Sequence, residues 1–252
     1  MKIQYASDLH LEMPKNKEYL KAHPLLPSGD LLILAGDVVP FSLMDKHNDF
    51  FSYISDNFRE TFWIPGNHEY YRSEITERKG TVHEKIRSNI HLVNNMTHFS
   101  NNIRMIFTTL WSHIQPGYQW ELEKSVEDFH HIRFEGNRLT YEHFNELHEE
   151  CLHFLHAELN EKNYAKTIVI THHAPTFQHY PSDTLPMTVS GAYATELSDL
   201  IVKSNADCWI YGHLHHNVPD YYIGKTKMLT NSMGFVEFAE HTTFKNDKVV
   251  KI

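Results

Sequence analysis

Five short, largely apolar runs, spread over most of the chain, each end in a loop that carries Asp, Asn or His. The runs are Lys2–Ala6, Leu31–Ala35, Thr61–Ile64, Lys166–Thr171 and Cys208–Tyr211. Continuous apolar runs of this length are typical of strands that are buried on both faces of a parallel sheet. The pattern therefore predicts a sheet whose strand ends present polar side chains at one edge.

The segments between these runs indicate helices and further strands. Helical spacing of apolar residues occurs in Met44–Phe58, Tyr141–Leu159 and Tyr193–Val202. Further strands are predicted at Ile90–Val93 and Arg104–Thr109, and antiparallel strands at Tyr221–Ile223, Lys227–Leu229 and Val249–Val250. This alternation predicts an α/β fold. We expect one domain over residues 1–252, in which the 111–140 segment, polar and without clear periodicity, forms an inserted cap or a long functional loop.

Charge and composition exclude several classes of protein. The formal net charge is −9, from 23 Lys and Arg against 32 Asp and Glu, whereas a non-specific nucleic-acid binder needs clustered cations. No apolar run approaches the ~20 residues of a membrane span, and the N-terminus does not resemble a secretory signal. Two cysteines, Cys151 and Cys208, favour a reducing compartment. We expect a cytoplasmic protein whose partners include neither a membrane nor nucleic acid, with the oligomeric state left open.

The polar residues at the strand ends are of the types that bind metal ions. They are Asp8, His10, Asp37, Asn67, His172, His213 and His215. Ligands bind beyond the carboxyl ends of strands in open α/β sheets, so these side chains are expected to converge. Mixed oxygen and nitrogen donors suit Mn, Fe or Zn better than Ca or Mg. We therefore expect two divalent metal ions, which together can activate water and hold a phosphoryl oxygen.

Taken in order, these blocks resemble the calcineurin-like metallophosphoesterase superfamily. The resemblance rests on Asp8-x-His10, Gly36-Asp37, Gly66-Asn67-His68-Glu69, a strand-end His172 and Gly212-His213-x-His215. It implies a four-layer α/β/β/α sandwich, in which a dinuclear metal centre lies at the edge of the sheets. It also implies hydrolysis of a phosphate ester by a metal-bound hydroxide, without a phosphorylated enzyme intermediate.

The same resemblance implies a role for each residue. One metal ion would be held by Asp8, His10, Asp37 and His215. The other would be held by Asp37, Asn67, His172 and His213, so that Asp37 is shared. His68 would be the general acid that protonates the leaving oxygen.

Two departures from the superfamily pattern bear on function. Protein Ser/Thr phosphatases carry an Arg before the Gly-Asn-His-Glu block and an Asp and an Arg after Gly-Asp, where this chain has Ile64-Pro65 and Val38-Val39-Pro40. The loss of these residues argues against that branch. It also removes the carboxylate that usually orients the catalytic His, and leaves Glu69 or a backbone carbonyl as candidates.

The strand-end histidines and the substrate contacts leave alternatives open. Because neighbouring residues of a strand point to opposite faces, only one of His172 and His173 is expected to bind metal. By analogy with His-His-Pro-Pro members we choose His172, and His173 would then support the ligands or contact the phosphate. Tyr70, Trp111 and His216 are candidates for substrate contact, with packing in the core or a surface turn as the alternative.

The sequence thus predicts a dimetal phosphohydrolase that acts on a small phosphomonoester or phosphodiester. A nuclease of the same superfamily, acting on DNA, is the first alternative, although only scattered Lys and Arg are visible. A scaffold that binds metal without catalysis is the second, and the presence of His68 argues against it.

Overall fold

The computed structural model describes residues 1–100, 102–161, 166–183 and 185–252, and its main elements are two six-stranded sheets. The strands of the first sheet, in spatial order, are β14 (Val249–Lys251), β1 (Lys2–Ala6), β2 (Leu31–Ala35), β3 (Thr61–Ile64), β5 (Ile90–Asn94) and β4 (Val82–Arg87). Those of the second are β12 (Tyr221–Ile223), β13 (Thr226–Thr230), β11 (Cys208–Tyr211), β10 (Lys166–Thr171), β7 (Ile103–Thr108) and β6 (Met96–Ser100). A two-stranded hairpin, β8 (Arg133–Phe134) and β9 (Asn137–Arg138), lies apart from both.

Six α-helices accompany the strands in the described part of the chain. They are α1 (Pro14–Ala22), α2 (Asn48–Asn57), α3 (Gln119–Ser125), α4 (Asp128–His131), α5 (Tyr141–Asn160) and α6 (Ser198–Ser204). Short 3-10 helices lie at Phe41–His47, His68–Tyr70, Ile75–Glu77, Met187–Ala192, Val236–Phe238 and Glu240–Thr243. None of the helices in the described residues is at once long enough and apolar enough to span a bilayer.

The two sheets pack face to face because their strands are apolar on both sides. In β2, Ile33 points into the core between the sheets, whereas Leu32 and Leu34 point to the outer face that α1 and α2 cover. In the second sheet, Ile168 points into the same central core and Val169 points outward to the cluster beneath α5 and α6. Alternate strand residues point to opposite faces, so the fold is the expected four-layer α/β/β/α sandwich.

The central strands of both sheets are parallel. In the first sheet β2 pairs in parallel with β1 and β3, and in the second β10 pairs in parallel with β7 and β11. The carboxyl ends of these strands therefore emerge at the same edge of their sheet, which is where the metal-type residues lie.

The 111–140 segment has its own apolar cluster. Leu122 of α3 and Phe129 of α4 pack with Trp111 and with Phe144 of α5. This cluster holds α3, α4 and the β8–β9 hairpin against α5, so the segment has a fixed place relative to the strand ends.

Two predicted helices differ from the structure. The predicted helix at Met44–Phe58 is a 3-10 helix over Phe41–His47 followed by α2. The predicted helix at Tyr193–Val202 begins only at Ser198, because the backbone of residues 194–197 bonds instead to the loop after β10.

The C-terminal strands were only partly predicted. β12 pairs antiparallel with β13, and β14 pairs antiparallel with β1, as expected. On its other side, however, β13 pairs in parallel with β11. The hairpin between β12 and β13 can be inferred from the turn at Gly224. The parallel pairing of β13 with β11 cannot, because it depends on the path of the loop between β11 and β12.

Candidate metal centre

Loops from five strand ends meet at one edge of the sandwich. Backbone hydrogen bonds join them: the amide of Asp8 donates to the carbonyl of Gly36 (2.9 Å), and the amide of Gly212 donates to the carbonyl of His172 (3.0 Å). The first bond links the loops after β1 and β2, and the second links those after β10 and β11. The relative positions of the side chains are therefore set by backbone as well as by packing.

Five of the candidate ligands have left-handed backbone. They are Asp8 (φ 56°), His10 (φ 46°), Asp37 (φ 55°), His213 (φ 70°) and His215 (φ 48°), out of thirteen such non-glycine residues in the described ranges. This conformation is costly for residues with a Cβ and persists only where the surroundings enforce it. Its concentration here indicates that the loops are shaped to aim these side chains inward.

Glycines allow the closest approaches within the site. A Cβ added at Gly66 would lie 2.2 Å from Asp37 Oδ1 and 2.6 Å from His172 Nε2. Gly36, with φ +89°, would place its Cβ 2.2 Å from His172 Nδ1. Any side chain at these two positions would displace the carboxylate or the imidazole, which explains the Gly-Asp and Gly-Asn pairs of the sequence.

Asp37 lies between two groups of imidazoles. Its Oδ2 is 3.7 Å from His10 Nε2 on one side and 3.3 Å from His172 Nε2 on the other. Its Oδ1 accepts a hydrogen bond from the amide of His68 (2.9 Å). The side chain is 1% exposed, so this carboxylate is placed to be shared by two cations.

The first group consists of Asp8, His10, Asp37 and His215, whose donor atoms lie within 4.8 Å of one another. His10 Nδ1 lies 3.0 Å from Glu12, and His215 Nδ1 lies 2.7 Å from Glu240. Because a carboxylate only accepts, each neutral ring must carry its proton on Nδ1. The two Nε2 atoms, 2.9 Å apart, then face each other with lone pairs. That contact is unfavourable unless a cation lies between the rings, so this donor set fits a metal ion.

The second group contains His172 and His213, with Asn67 beside them. His172 Nδ1 donates to the carbonyl of Ala35 (2.9 Å), and His213 Nε2 donates to the carbonyl of Ala192 (3.2 Å). His172 Nε2 and His213 Nδ1 are thereby left free to bind. Asn67 Oδ1 lies 3.1 Å from His172 Nε2, which supplies an oxygen donor at the same point. This set also fits a divalent ion.

His173 is buried beside these two rings, and a possible donor atom of His173 lies within 4.8 Å of donor atoms of His172 and His213. Its ring is held differently. Its Nδ1 accepts from the amide of Ser112 (3.2 Å) and lies 2.8 Å from the Ser112 hydroxyl. The proton is then on Nε2, which is buried and has no hydrogen-bond partner in the described structure. The ring stacks on His213, with centroids 4.1 Å apart. This geometry favours His172 as the ligand, and His173 as the ring that supports His213.

Asn67 is oriented by a residue of the 111–140 segment. Its Nδ2 donates to Asp128 Oδ1 (2.7 Å), which also accepts from the hydroxyl of Tyr71 (2.8 Å). Asp128 is 1% exposed, and burial raises the pKa of its carboxyl. With its amide nitrogen held by Asp128, Asn67 points its oxygen at His172. No sequence motif marks Asp128, which is 61 residues from Asn67.

Glu12 orients His68, a role that the sequence did not assign to it. Glu12 Oε1 lies 3.1 Å from His68 Nδ1 and 3.0 Å from His10 Nδ1. Burial alone would lower the pKa of His68, but the carboxylates of Asp37 and Glu12 outweigh it and raise the pKa to about 9. Burial would raise the pKa of Glu12, but His10 and His68 lower it to about 2. The only sequence signal was the Asp8-x-His10-x-Glu12 spacing, in which a third polar residue follows two candidate ligands at the same interval.

Glu69, which was a candidate for orienting His68, has another role. Its carboxylate accepts from the amides of Asp37 (2.8 Å), Val38 (2.6 Å) and Gly66 (2.6 Å). It also accepts from the indole of Trp63 (3.2 Å). Glu69 therefore joins the loop after β2 to the loop after β3, and it makes no hydrogen bond to the His68 ring.

A cavity of about 620 Å³ opens above the two groups. Candidate ligands and His68 form its base, and residues 125–128 and 131 of the 111–140 segment form one wall. His216 lines it, but Tyr70 and Trp111 do not: they are 1% and 2% exposed and pack in the apolar cluster of the 111–140 segment. Of the two alternatives for Tyr70 and Trp111, this burial favours packing in the core. Tyr71 is the aromatic residue of that block that reaches the cavity.

The chain is similar in sequence or in fold to known proteins. The family model described as calcineurin-like phosphoesterase matches residues 1–217. The protein L509 of Acanthamoeba polyphaga mimivirus, itself described as uncharacterized, is 30% identical over 262 residues, covering 92% of this chain and 91% of L509. The crystal structure of the phosphopantetheinyl hydrolase PptH from Mycobacterium tuberculosis superposes with a TM-score of 0.70 at 19% identity, covering 99% of this chain and 95% of PptH. At that identity the similarity to PptH shows the fold alone.

Proposed function

The chain belongs to the calcineurin-like phosphoesterase family, which makes it a phosphoester hydrolase, and we propose that it cleaves a small phosphate ester at a centre of two divalent metal ions. The observation that carries the proposal is the position of Asp37 between two inward-facing groups of imidazoles, each with one nitrogen anchored and the other free.

The proposed ligands follow the two groups. Asp8, His10, Asp37 and His215 would hold one ion, and Asp37, Asn67, His172 and His213 would hold the other. Manganese, iron and zinc suit these donors. Bound there, the ions would supply Lewis acidity toward a phosphoryl oxygen and lower the pKa of water.

His68 is the proposed general acid. Its ring lies at the base of the cavity, with Nδ1 held by Glu12 at 3.1 Å and one face stacked on Tyr71 at 4.1 Å between centroids. These contacts leave Nε2 to hold a proton and to deliver it to the leaving oxygen of the ester. Glu12 acts as a positioning residue, because it keeps the protonated ring in place.

The test is hydrolysis of model esters by protein of known metal content. Purified protein would be loaded in turn with Mn, Fe and Zn, analysed for metal, and assayed with p-nitrophenyl phosphate and bis(p-nitrophenyl) phosphate. We expect close to two ions per chain and metal-dependent turnover of at least one ester. If fully loaded protein cleaves neither ester with any metal, the hydrolase proposal is wrong and the metal-binding scaffold replaces it.

The cavity gives no support to a nuclease. A nucleic-acid groove needs Lys or Arg along the phosphate backbone, and no described residue lining this cavity is either one. Cleavage of a DNA oligonucleotide faster than the small esters, with binding that weakens steeply as salt rises, would reverse this conclusion.

A further inference from the structure

The wall of the cavity indicates which phosphate esters the centre selects. At 620 Å³ the cavity has the size of a small-molecule site. Among its described lining residues the side chains that can carry positive charge are all histidines: His68, His131, His213, His215 and His216. Three of these belong to the centre itself, so the outer wall offers an incoming phosphate no permanent cation.

The carboxylates that line the outer wall each contact another side chain. Glu127 lies 2.9 Å from His131, and Glu240 lies 2.7 Å from His215. Asp128 is buried behind Asn67. Among the described residues of the 111–140 segment that line the cavity, the imidazole of His131 is thus the only side chain that can carry a positive charge, and it has a carboxylate beside it.

The charge of the phosphate decides which ester this wall tolerates. A phosphomonoester carries close to two negative charges at neutral pH, because its second pKa is about 6. Its terminal oxygens are commonly met by a bidentate Arg. A phosphodiester carries one negative charge and needs less compensation. A cavity without Lys or Arg therefore penalises the monoester more than the diester.

The apolar part of the wall suits the second substituent that only a diester has. Tyr71 stacks on His68, and Tyr193 stacks on His213 with centroids 5.2 Å apart. An aromatic ring therefore lies beside the proposed general acid, and another lies beside a proposed ligand of the second ion. Leu185 and Phe235 extend this apolar lining.

We propose that the site prefers phosphodiester monoanions with an aromatic or apolar group on one arm over phosphomonoester dianions. The proposal rests on the hydrolase function proposed above. It goes beyond it by assigning the selection to the absence of a fixed cation and to the aromatic walls at Tyr71 and Tyr193.

The first experiment compares bis(p-nitrophenyl) phosphate with p-nitrophenyl phosphate at pH 8 on the same metal-loaded protein. We expect kcat/KM to be at least tenfold higher for the diester. If the monoester is cleaved as well or better, the diester proposal is wrong while the hydrolase function stands. If neither is cleaved, the hydrolase function itself is lost.

The second experiment supplies the missing cation. His131→Arg places a permanent charge on the cavity wall, and the matched control His156→Arg places the same charge on the exposed face of α5. We expect His131→Arg to lower the diester-to-monoester ratio by ~5–10-fold, as one charged hydrogen bond to a phosphate would do. It should also tighten the binding of inorganic phosphate measured by calorimetry, whereas His156→Arg should change neither. An unchanged ratio in His131→Arg would contradict the charge argument.

The third experiment tests the aromatic wall. In wild-type protein we expect bis(p-nitrophenyl) phosphate to be preferred over methyl p-nitrophenyl phosphate, which has the same leaving group but a small second arm. Tyr193→Ala should reduce that preference while metal content stays near two. A preference that survives the substitution would show that Tyr193 does not contact the second arm.

Discussion

The two halves of the candidate metal centre use similar imidazoles but anchor them differently. In the first half, the rings of His10 and His215 are held by the carboxylates of Glu12 and Glu240. In the second half, the rings of His172 and His213 are held by neutral backbone carbonyls. A carboxylate behind an imidazole makes it a more basic ligand than a carbonyl does.

The oxygen donors of the first half also carry more negative charge than those of the second half. Besides Asp37, which lies between the halves, the first half has the carboxylate of Asp8, and the second has the neutral amide of Asn67. The first half is therefore expected to bind its ion more tightly. The second half depends on Asp128, and so on the packing of the 111–140 segment, to orient its amide.

Asp37→Ala should affect both halves at once. Loss of the shared carboxylate leaves the two imidazole groups unconnected and removes one negative charge from each ion, so both should be bound weakly. We expect metal content well below two per chain and activity reduced by more than ~10³-fold. Elemental analysis after gel filtration measures the first effect. Two retained ions in a folded Asp37→Ala protein would show that the halves do not share this residue.

His68→Ala should affect neither half as a metal site. Because the proposed role of His68 is to hold the proton for the leaving oxygen, kcat should fall by ~10²–10⁴-fold while metal content remains near two. The fall should be larger for esters with poor leaving groups than for p-nitrophenyl esters, which need less protonation. An equal fall across leaving groups would contradict the general-acid role.

Glu12→Gln and Glu240→Gln should weaken the first half only. Loss of the charge behind one imidazole is expected to reduce affinity for that ion by ~10–100-fold, measured by competition with a chelator. The pair separates two roles, because only Glu12 also contacts His68. Glu12→Gln should slow poor leaving groups even at saturating metal, and Glu240→Gln should not. The exposed Glu237→Gln, on the same loop, is the matched control and should leave metal affinity unchanged.

Asp128→Asn should weaken the second half only, and by less. The carboxylate would be replaced by an amide that can still accept from Asn67 Nδ2, so we expect a loss of ~10-fold in affinity for one ion. Calorimetric titration should show an unchanged first binding step and a weaker second. The neighbouring Glu127→Gln, which does not contact Asn67, should keep both steps. A change confined to the tighter step would reverse the assignment of Asp128.

The strands that carry the site were predicted from sequence with their observed bounds. β1, β2, β3, β10 and β11 each begin and end where the largely apolar runs do, because a strand that is buried on both faces needs apolar residues at most of its positions. The helices were harder to predict. α1 was missed, since only Asn16 and Leu20 of its residues are buried and its apolar periodicity is weak.

The residues that support the ligands could be predicted only in part. Glu12 follows His10 at the same spacing as His10 follows Asp8, so the signal was present and was overlooked. Glu240 and Asp128 have no such signal. They reach the site from the C-terminal loops and from the 111–140 segment, and their contacts depend on how those segments pack.

By itself the sequence determined the kind of chemistry, because donor types and the strands that carry them are local properties of the chain. Tertiary structure decided which nitrogen of each imidazole faces inward, which carboxylate holds His68, and how the cavity wall is charged. Each of those outcomes is a contact between segments far apart in the chain, and its energy exists only once the two sheets, the 111–140 segment and the C-terminal loops have packed together.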